Sequence, residues 1–342
     1  MNNIELILGN SNKRFSGVTS TMLQVLPHQK TMMEIAILGE HHITDNTRIL
    51  RYKDFIKLCR KTLPDGKFRI FHARRNDEMI QALIAQKFFG AKIKIVFTST
   101  AQRHHSSFTR WLMSKMDAII TTCSAANSYL KQPADIIIPH GVDIESYRPR
   151  EASTKDNETI NIGVFGRIRP SKGIDLLIDA IIPLLKKYPN VVLNICGETT
   201  SKFQSYYDQQ VAKIEEAGLN EQVILHGKVD FSYLPELYRN MDLVCAMSRN
   251  EGFGLTPLEA MASGVAVLTS EAGGWKDFVK NGVNGYYVPI GDVQAIRRKL
   301  AKMINDPEKL RTMGKAGRDL VEQDYTNKKE AKELCSFFQS LI

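Results

Sequence analysis

The chain has 342 residues, 43% of them hydrophobic and 24% charged, a globular balance in more chain than one compact core holds. The N-terminal apolar run contains Glu5 and is followed rather than preceded by its basic residues, so it does not read as a signal peptide; the most apolar later stretch, Ile174 to Leu185, is broken by Asp175, Asp179 and Pro183, short of the roughly 20 apolar residues of a membrane span. The net charge of +9 is uneven: residues 1–150 hold 22 Lys and Arg against 12 Asp and Glu, residues 151–342 hold 24 against 25, and so only the first half has an electrostatic reason, beyond plain solubility, to meet a membrane, an acidic glycan or a nucleic acid.

Along the chain, short apolar, β-branched runs alternate with longer amphipathic stretches, the pattern of parallel strands joined by crossover helices. Strands are predicted at 4–8, 34–38, 68–72, 93–99, 118–122 and 135–139 in the first half. In the second half they are predicted at 160–166, 191–197, 223–227, 243–247, 265–269 and 285–289, with helices at 173–187, 203–217, 232–240, 255–263 and 292–304. The fold class is therefore α/β, with two doubly wound parallel sheets, one in a domain of residues 1–146 and one in a domain of residues 147–324. The polar stretch from Tyr147 to Glu158 lacks apolar periodicity and is the expected hinge. The final segment, 325–342, puts Leu334, Phe337, Phe338 and Leu341 on one helical face that needs a partner. Five dispersed cysteines, with no Cys-x-x-Cys pair and no His at ligand spacing, fit a reducing compartment and no structural zinc.

Two segments carry the chemistry. The first is Glu251-Gly-Phe-Gly-Leu-Thr-Pro-Leu-Glu259, after one predicted strand and opening a helix. Gly252 and Gly254 let the backbone pass close to a ligand, Pro257 suits a first helical turn, and the free amides there favour an anion. Glu251 precedes the helix and Glu259 lies inside it, at most about 12 Å of helix rise away, so the pair can hold two ends of one elongated ligand. Taken alone, the segment reads equally well as a tight turn with two surface glutamates. The second segment, Gly166-Arg-Ile-Arg-Pro-Ser-Lys-Gly173, leaves a strand end, where α/β sheets bind ligands, and offers Arg167 and Lys172 to a phosphate. It is neither a dinucleotide fingerprint nor a P-loop, and no Asp-x-Asp is present to hold a divalent metal, so cationic side chains would carry that charge.

Together, GRIRPSKG, EGFGLTPLE, AMASGVAVLTS and GGWKDFVKNGVNGYYVP resemble, in order and over residues 135–330, the retaining GT-B glycosyltransferases of family 4. The resemblance implies two Rossmann-like domains facing a cleft, a nucleotide-sugar held mainly by the second, and neither cofactor nor metal. It assigns Arg167 and Lys172 to the donor diphosphate, Glu259 to the ribose, and Glu251 to the transferred sugar. Gly166, Gly252, Phe253, Gly254 and Leu255 complete the donor site, and Gly17 matches the turn after the first strand. Retention by attack from the leaving-group face would need no glutamate nucleophile, whereas a glycosidase would place two carboxyls across one bond.

HARRNDEM (72–79) and FTSTAQRHHSSFTRWLMSKMD (97–117) look more narrowly like lipopolysaccharide core mannosyltransferases, which move mannose from GDP-mannose to a Kdo sugar. That likeness implies an acceptor-facing His104 or His105, a C-terminal helix that packs back on the first domain, and a lipid-linked anionic glycan as acceptor. Arg103, Arg110, Trp111 and Lys115, with Arg74 and Arg75 on a neighbouring loop, then form an acceptor or membrane surface, consistent with a cytoplasmic protein peripheral on the inner face of the cytoplasmic membrane and with no nucleic-acid partner. The other readings are a family member using UDP-glucose or UDP-N-acetylglucosamine as donor, or another lipid-linked or glycan acceptor, and a sugar-nucleotide or nucleic-acid binding module that has kept the fold without the activity.

Overall fold

The computed structural model describes residues 3–13, 16–43, 46–151 and 159–342, in two compact units: Met1–Gly141 with Asn327–Ile342, and Val142–Thr326. Of the expected hinge, Tyr147 to Glu151 belong to the second unit, and residues 152–158 lie outside the described residues.

The first unit has seven strands: β1 (Leu6–Gly9), β2 (Ile35–Leu38), β3 (Arg48–Leu50), β4 (Arg69–Ala73), β5 (Ile93–Ser99), β6 (Ala118–Thr121) and β7 (Ile136–Ile137). They form one parallel sheet in the order β3-β2-β1-β4-β5-β6-β7. Its central strands are buried on both faces because helices cover both, so they read as unbroken apolar runs. Leu6 and Leu8 join Met22, Val25 and Leu26 of helix Gly17–Gln29 and Leu334, Cys335 and Phe338 of helix Asn327–Ser340. Ile7, one residue out of phase, joins Phe55, Phe71 and Met79 on the opposite face. The apolar stripe of the C-terminal helix thus finds its partner in the first unit: Leu334 and Phe338 are buried, Phe337 and Leu341 partly so. Strand β3 is absent from the predicted set, since only Leu50 of its three residues is buried and so short a run shows no alternation.

The second unit has six strands: β8 (Ile160–Phe165), β9 (Val191–Cys196), β10 (Val223–Gly227), β11 (Leu243–Ala246), β12 (Ala266–Ser270) and β13 (Gly285–Val288). They too are parallel, in the order β10-β9-β8-β11-β12-β13. Helix Pro307–Asp324 was not among the predicted helices of this half, and its interior glycines work against helix formation when viewed locally. Packing outweighs that local cost. A Cβ on Gly314 would lie 2.0 Å from the carbonyl oxygen of Gly264, and one on Gly317 would lie 2.8 Å from Met261, so the glycines let this helix lie directly against helix Thr256–Ala262.

In each sheet the chain winds outward from a central strand and then returns to its other side, so the loops after β1 and β4 diverge, as do those after β8 and β11. Such switch points are where open α/β sheets bind ligands. All five cysteines are buried and none is joined in a disulfide, and among the described residues no helix is long and apolar enough to cross a membrane. Phe338 is fully enclosed. Phe338→Ala is expected to cost about 3–5 kcal/mol in urea unfolding, and a loss under 1 kcal/mol would mean that the C-terminal helix is not part of this core.

Candidate active site

At the β8/β11 switch point two loops are drawn together. After β8 the chain passes Gly166 and Arg167, makes a short turn at Pro170–Lys172 and enters helix Ile174–Lys187 through Gly173. Gly173 has φ +66°, and a Cβ there would fall 1.9 Å from the carbonyl oxygen of Met247 in the loop after β11. No other residue permits that approach. Arg249 then fastens the loops. Its amide donates to Ser171 O at 2.8 Å, Nη1 donates to Pro170 O at 2.6 Å, and the guanidinium grips Asp175 at 2.8 and 2.6 Å. Tyr206 donates to the same carboxylate at 2.8 Å. Burial pushes the Asp175 carboxyl upward in pKa, but the hydrogen bonds from Arg249 and Tyr206 outweigh it and hold the group below its usual value.

The clamp brings the predicted residues into register. Lys172 Nζ donates to Glu251 Oε2, and Ser248 Oγ reaches the same oxygen at 3.5 Å. The Gly252 amide donates to Glu251 Oε1 at 3.2 Å. Behind this loop Trp275, 1% exposed, donates from Nε1 to Gly254 O at 2.9 Å, and Phe253 is buried. Leu255 leads into helix Thr256–Ala262, which carries Glu259. Glu259 is half-buried and accepts from Tyr238 at 2.7 Å and from Tyr147. Burial raises its pKa, opposed by the two phenols and by the charge of Lys172. Arg167 is exposed beside Gly166, with no hydrogen bond or ion pair among the described residues. A recess lined by Phe165, Gly166, Lys172, Met247, Ser248 and Thr256 opens here. Lys172 lines it, and the loops around it bring Arg167, a carboxylate held by Lys172 and a second carboxylate held by phenols, a set suited to an anionic, hydroxyl-rich ligand. Among the described residues no three His, Cys, Asp or Glu side chains converge as metal ligands would.

In the first unit, Gly17 is the exposed first residue of helix Gly17–Gln29. Of the two histidines, His105 is turned inward: its Nε2 lies 3.0 Å from Ser99 Oγ at the carboxyl end of β5, and burial, then the charges of Arg103 and Arg110, push its pKa down. His104 is exposed against the ring of Tyr129. Arg103, Arg110 and Lys115 are exposed, and Trp111 (52% exposed) stacks on Phe108 (54%) with centroids 6.1 Å apart.

Arg74 and Arg75 depart from expectation, because neither belongs to that exposed face. They close the carboxyl end of β4 over the fully buried Glu78, which accepts the amides of Arg74 at 2.7 Å and Arg75 at 3.2 Å. The Arg75 guanidinium donates to Glu78 at 3.0 Å, Ser16 at 3.2 Å and Thr19 at 3.0 Å. Burial lowers the Arg74 pKa to about 10, and its Nη1 is enclosed without a hydrogen-bond partner among the described residues.

Sequence reasoning missed Arg249, Asp175, Tyr147 and Tyr238. Asp175 and Arg249 sit within three residues of Lys172 and Glu251, which marks them as neighbours of the motifs but does not reveal their pairing. Nothing local marks the tyrosines, since Tyr147, Tyr238 and Glu259 come from three separate segments.

Known proteins bear on this arrangement. The profile of the family described as glycosyl transferases group 1 matches residues 146–320. The lipopolysaccharide core biosynthesis mannosyltransferase LpcC of Rhizobium leguminosarum bv. viciae is 34% identical, with 99% of this chain and 97% of that protein aligned. LpsB of Rhizobium meliloti, of the same description, is 32% identical over 99% and 98% of the two chains. The crystal structure of Anabaena Alr3699/HepE in complex with UDP superposes with a TM-score of 0.80 over 98% of this chain and all of that one, at 18% identity, a likeness of fold. With its two parallel-sheet domains in the GT-B fold, this chain belongs to the group 1 glycosyltransferases of family 4.

Proposed function

We propose that this enzyme transfers mannose from GDP-mannose, with retention, to a Kdo sugar of the lipopolysaccharide inner core, without a metal ion, at the cytoplasmic face of the membrane. The observation that carries the reading is the convergence of Lys172 and Glu251 at the β8/β11 switch point, in a chain aligned end to end with two lipopolysaccharide core mannosyltransferases.

In this reading a nucleotide-sugar lies along the loops after β8 and β11. Loss of the nucleoside diphosphate concentrates negative charge on its terminal phosphate. Arg167, which is free to turn, and Lys172, which is held beside the carboxylate, stabilise that charge more in the transition state than in the ground state. Their charge is what removes the need for a divalent cation. Glu251 favours the positive character that grows on the sugar as the bond breaks, and its pairing with Lys172 keeps the two charges adjacent so that one group serves each end of the breaking bond. Glu259 takes the ribose. In the first unit His105, whose Nε2 lies beside Ser99 Oγ at the end of β5, is taken as the histidine that faces an acceptor hydroxyl. The exposed Phe108–Trp111 pair with Arg103, Arg110 and Lys115 suits the anionic lipid that anchors such an acceptor.

The direct test is transfer from GDP-mannose to a Kdo-bearing lipid A in the presence of EDTA, read as a one-hexose gain by mass spectrometry. Binding of GDP-mannose without transfer would overturn the acceptor, and turnover of a UDP-sugar in its place would overturn the donor. Lys172→Ala and Glu251→Ala are each expected to lower kcat by about 100- to 1,000-fold, and wild-type rates in both would sink the mechanism. On vesicles containing phosphatidylglycerol, Phe108→Ala with Trp111→Ala is expected to reduce co-sedimentation about fivefold or more, as loss of two interfacial rings predicts. Unchanged sedimentation would remove this face from the membrane contact.

A further inference from the structure

Glu259 is anchored in an unusual way. It is a half-buried carboxylate, yet among the described residues no lysine or arginine forms an ion pair with it; its hydrogen bonds come from two phenols. Tyr238 reaches Oε2 at 2.7 Å and is itself 1% exposed. Phe165 stacks on its ring at 3.8 Å between centroids with planes 15° apart, and Thr256 hydrogen-bonds its hydroxyl. Tyr147 packs against Tyr238 at 5.5 Å, 72° between planes. Its carbonyl oxygen is fixed by Arg318 Nη1 at 2.7 Å, the same nitrogen that donates to Ala262 O at 2.6 Å at the end of the helix bearing Glu259. Both hydroxyls are therefore held in place independently of any ligand.

A neutral donor does something to a carboxylate that a cation does not. It sets the orientation of the group by occupying a lone pair while leaving the full negative charge available to other donors. A carboxylate fixed in this manner suits a pair of adjacent hydroxyls, each of which gains a charge-assisted hydrogen bond. We infer that Tyr147 and Tyr238 are positioning residues that aim Glu259 at the two hydroxyls of the donor ribose, and that this trio makes the enzyme selective for ribonucleotides. The inference rests on the reading of Glu259 as the ribose carboxylate.

The experiment is calorimetric titration of the full chain with GDP and with 2′,3′-dideoxy-GDP, read as the ratio of the two Kd values. Because both ligands meet the same folded protein, a loss of stability alone leaves the ratio unchanged. Wild type is expected to prefer GDP by about 10- to 100-fold, the value of hydrogen bonds to a charged group, and Glu259→Gln to lose most of that preference. Tyr147→Phe and Tyr238→Phe keep the rings and the stacking, and each is expected to shrink the ratio by about threefold or more. If Glu259→Gln shrinks the ratio while both tyrosine variants keep the wild-type value, the positioning role is overturned and the ribose assignment stands. If Glu259→Gln leaves the ratio unchanged, the ribose assignment itself falls, and this inference with it.

Discussion

A doubly wound sheet opens a gap at its switch point because the two central strands send their loops in opposite directions, and a site built there must close the gap without filling it. In the second unit the closure is made by Arg249 and Asp175, with Gly173 allowing backbone to meet backbone beneath them. The ion pair is partly exposed, so its worth lies in geometry more than in stability. A planar guanidinium that engages a carboxylate through two bonds and a carbonyl through a third permits one relative position of the loops. Lys172 and Glu251 sit two or three residues from the clamp, so their mutual distance is inherited from it.

The two glutamates of the E-x7-E segment then acquire different characters from their surroundings. Glu251 is held by a cation and by its own following amide, in a loop backed by Trp275. Glu259 is held by neutral hydroxyls, where burial works against ionisation and the phenols work for it. Identical side chains are thus given unlike surroundings by what donates to them.

How far the sequence could be read followed the range of the interactions. The central parallel strands were legible because they are buried on both faces and carry their apolar runs locally; the edge strand β3, three residues long and mostly exposed, was not. Glycine misled in one place: Gly314 and Gly317 weaken the local case for a helix, and only the facing surface of helix Thr256–Ala262 shows why they are there. At the site, Arg167, Lys172, Glu251 and Glu259 could be named because they lie in two contiguous motifs. The tyrosines and the Arg249–Asp175 pair could not, because their roles exist only between segments that the sheet topology brings together. Arg74 and Arg75 show the opposite failure. Two adjacent arginines read as surface charge, but the buried Glu78 four and three residues on draws both inward.

The C-terminal helix belongs to the core of the first unit, so residues 142–326 are, in the topology of the chain, an insertion between Gly141 and Asn327. The two ends of that insertion already lie side by side: the Val142 amide donates to Tyr325 O at 2.8 Å, and Val142 bridges Thr326. A segment whose entry and exit share a hydrogen bond can be lifted out at a single point. The second unit is thereby one continuous stretch of gene framed by the first, while a deletion at the C-terminus would damage the unit farthest from it in sequence.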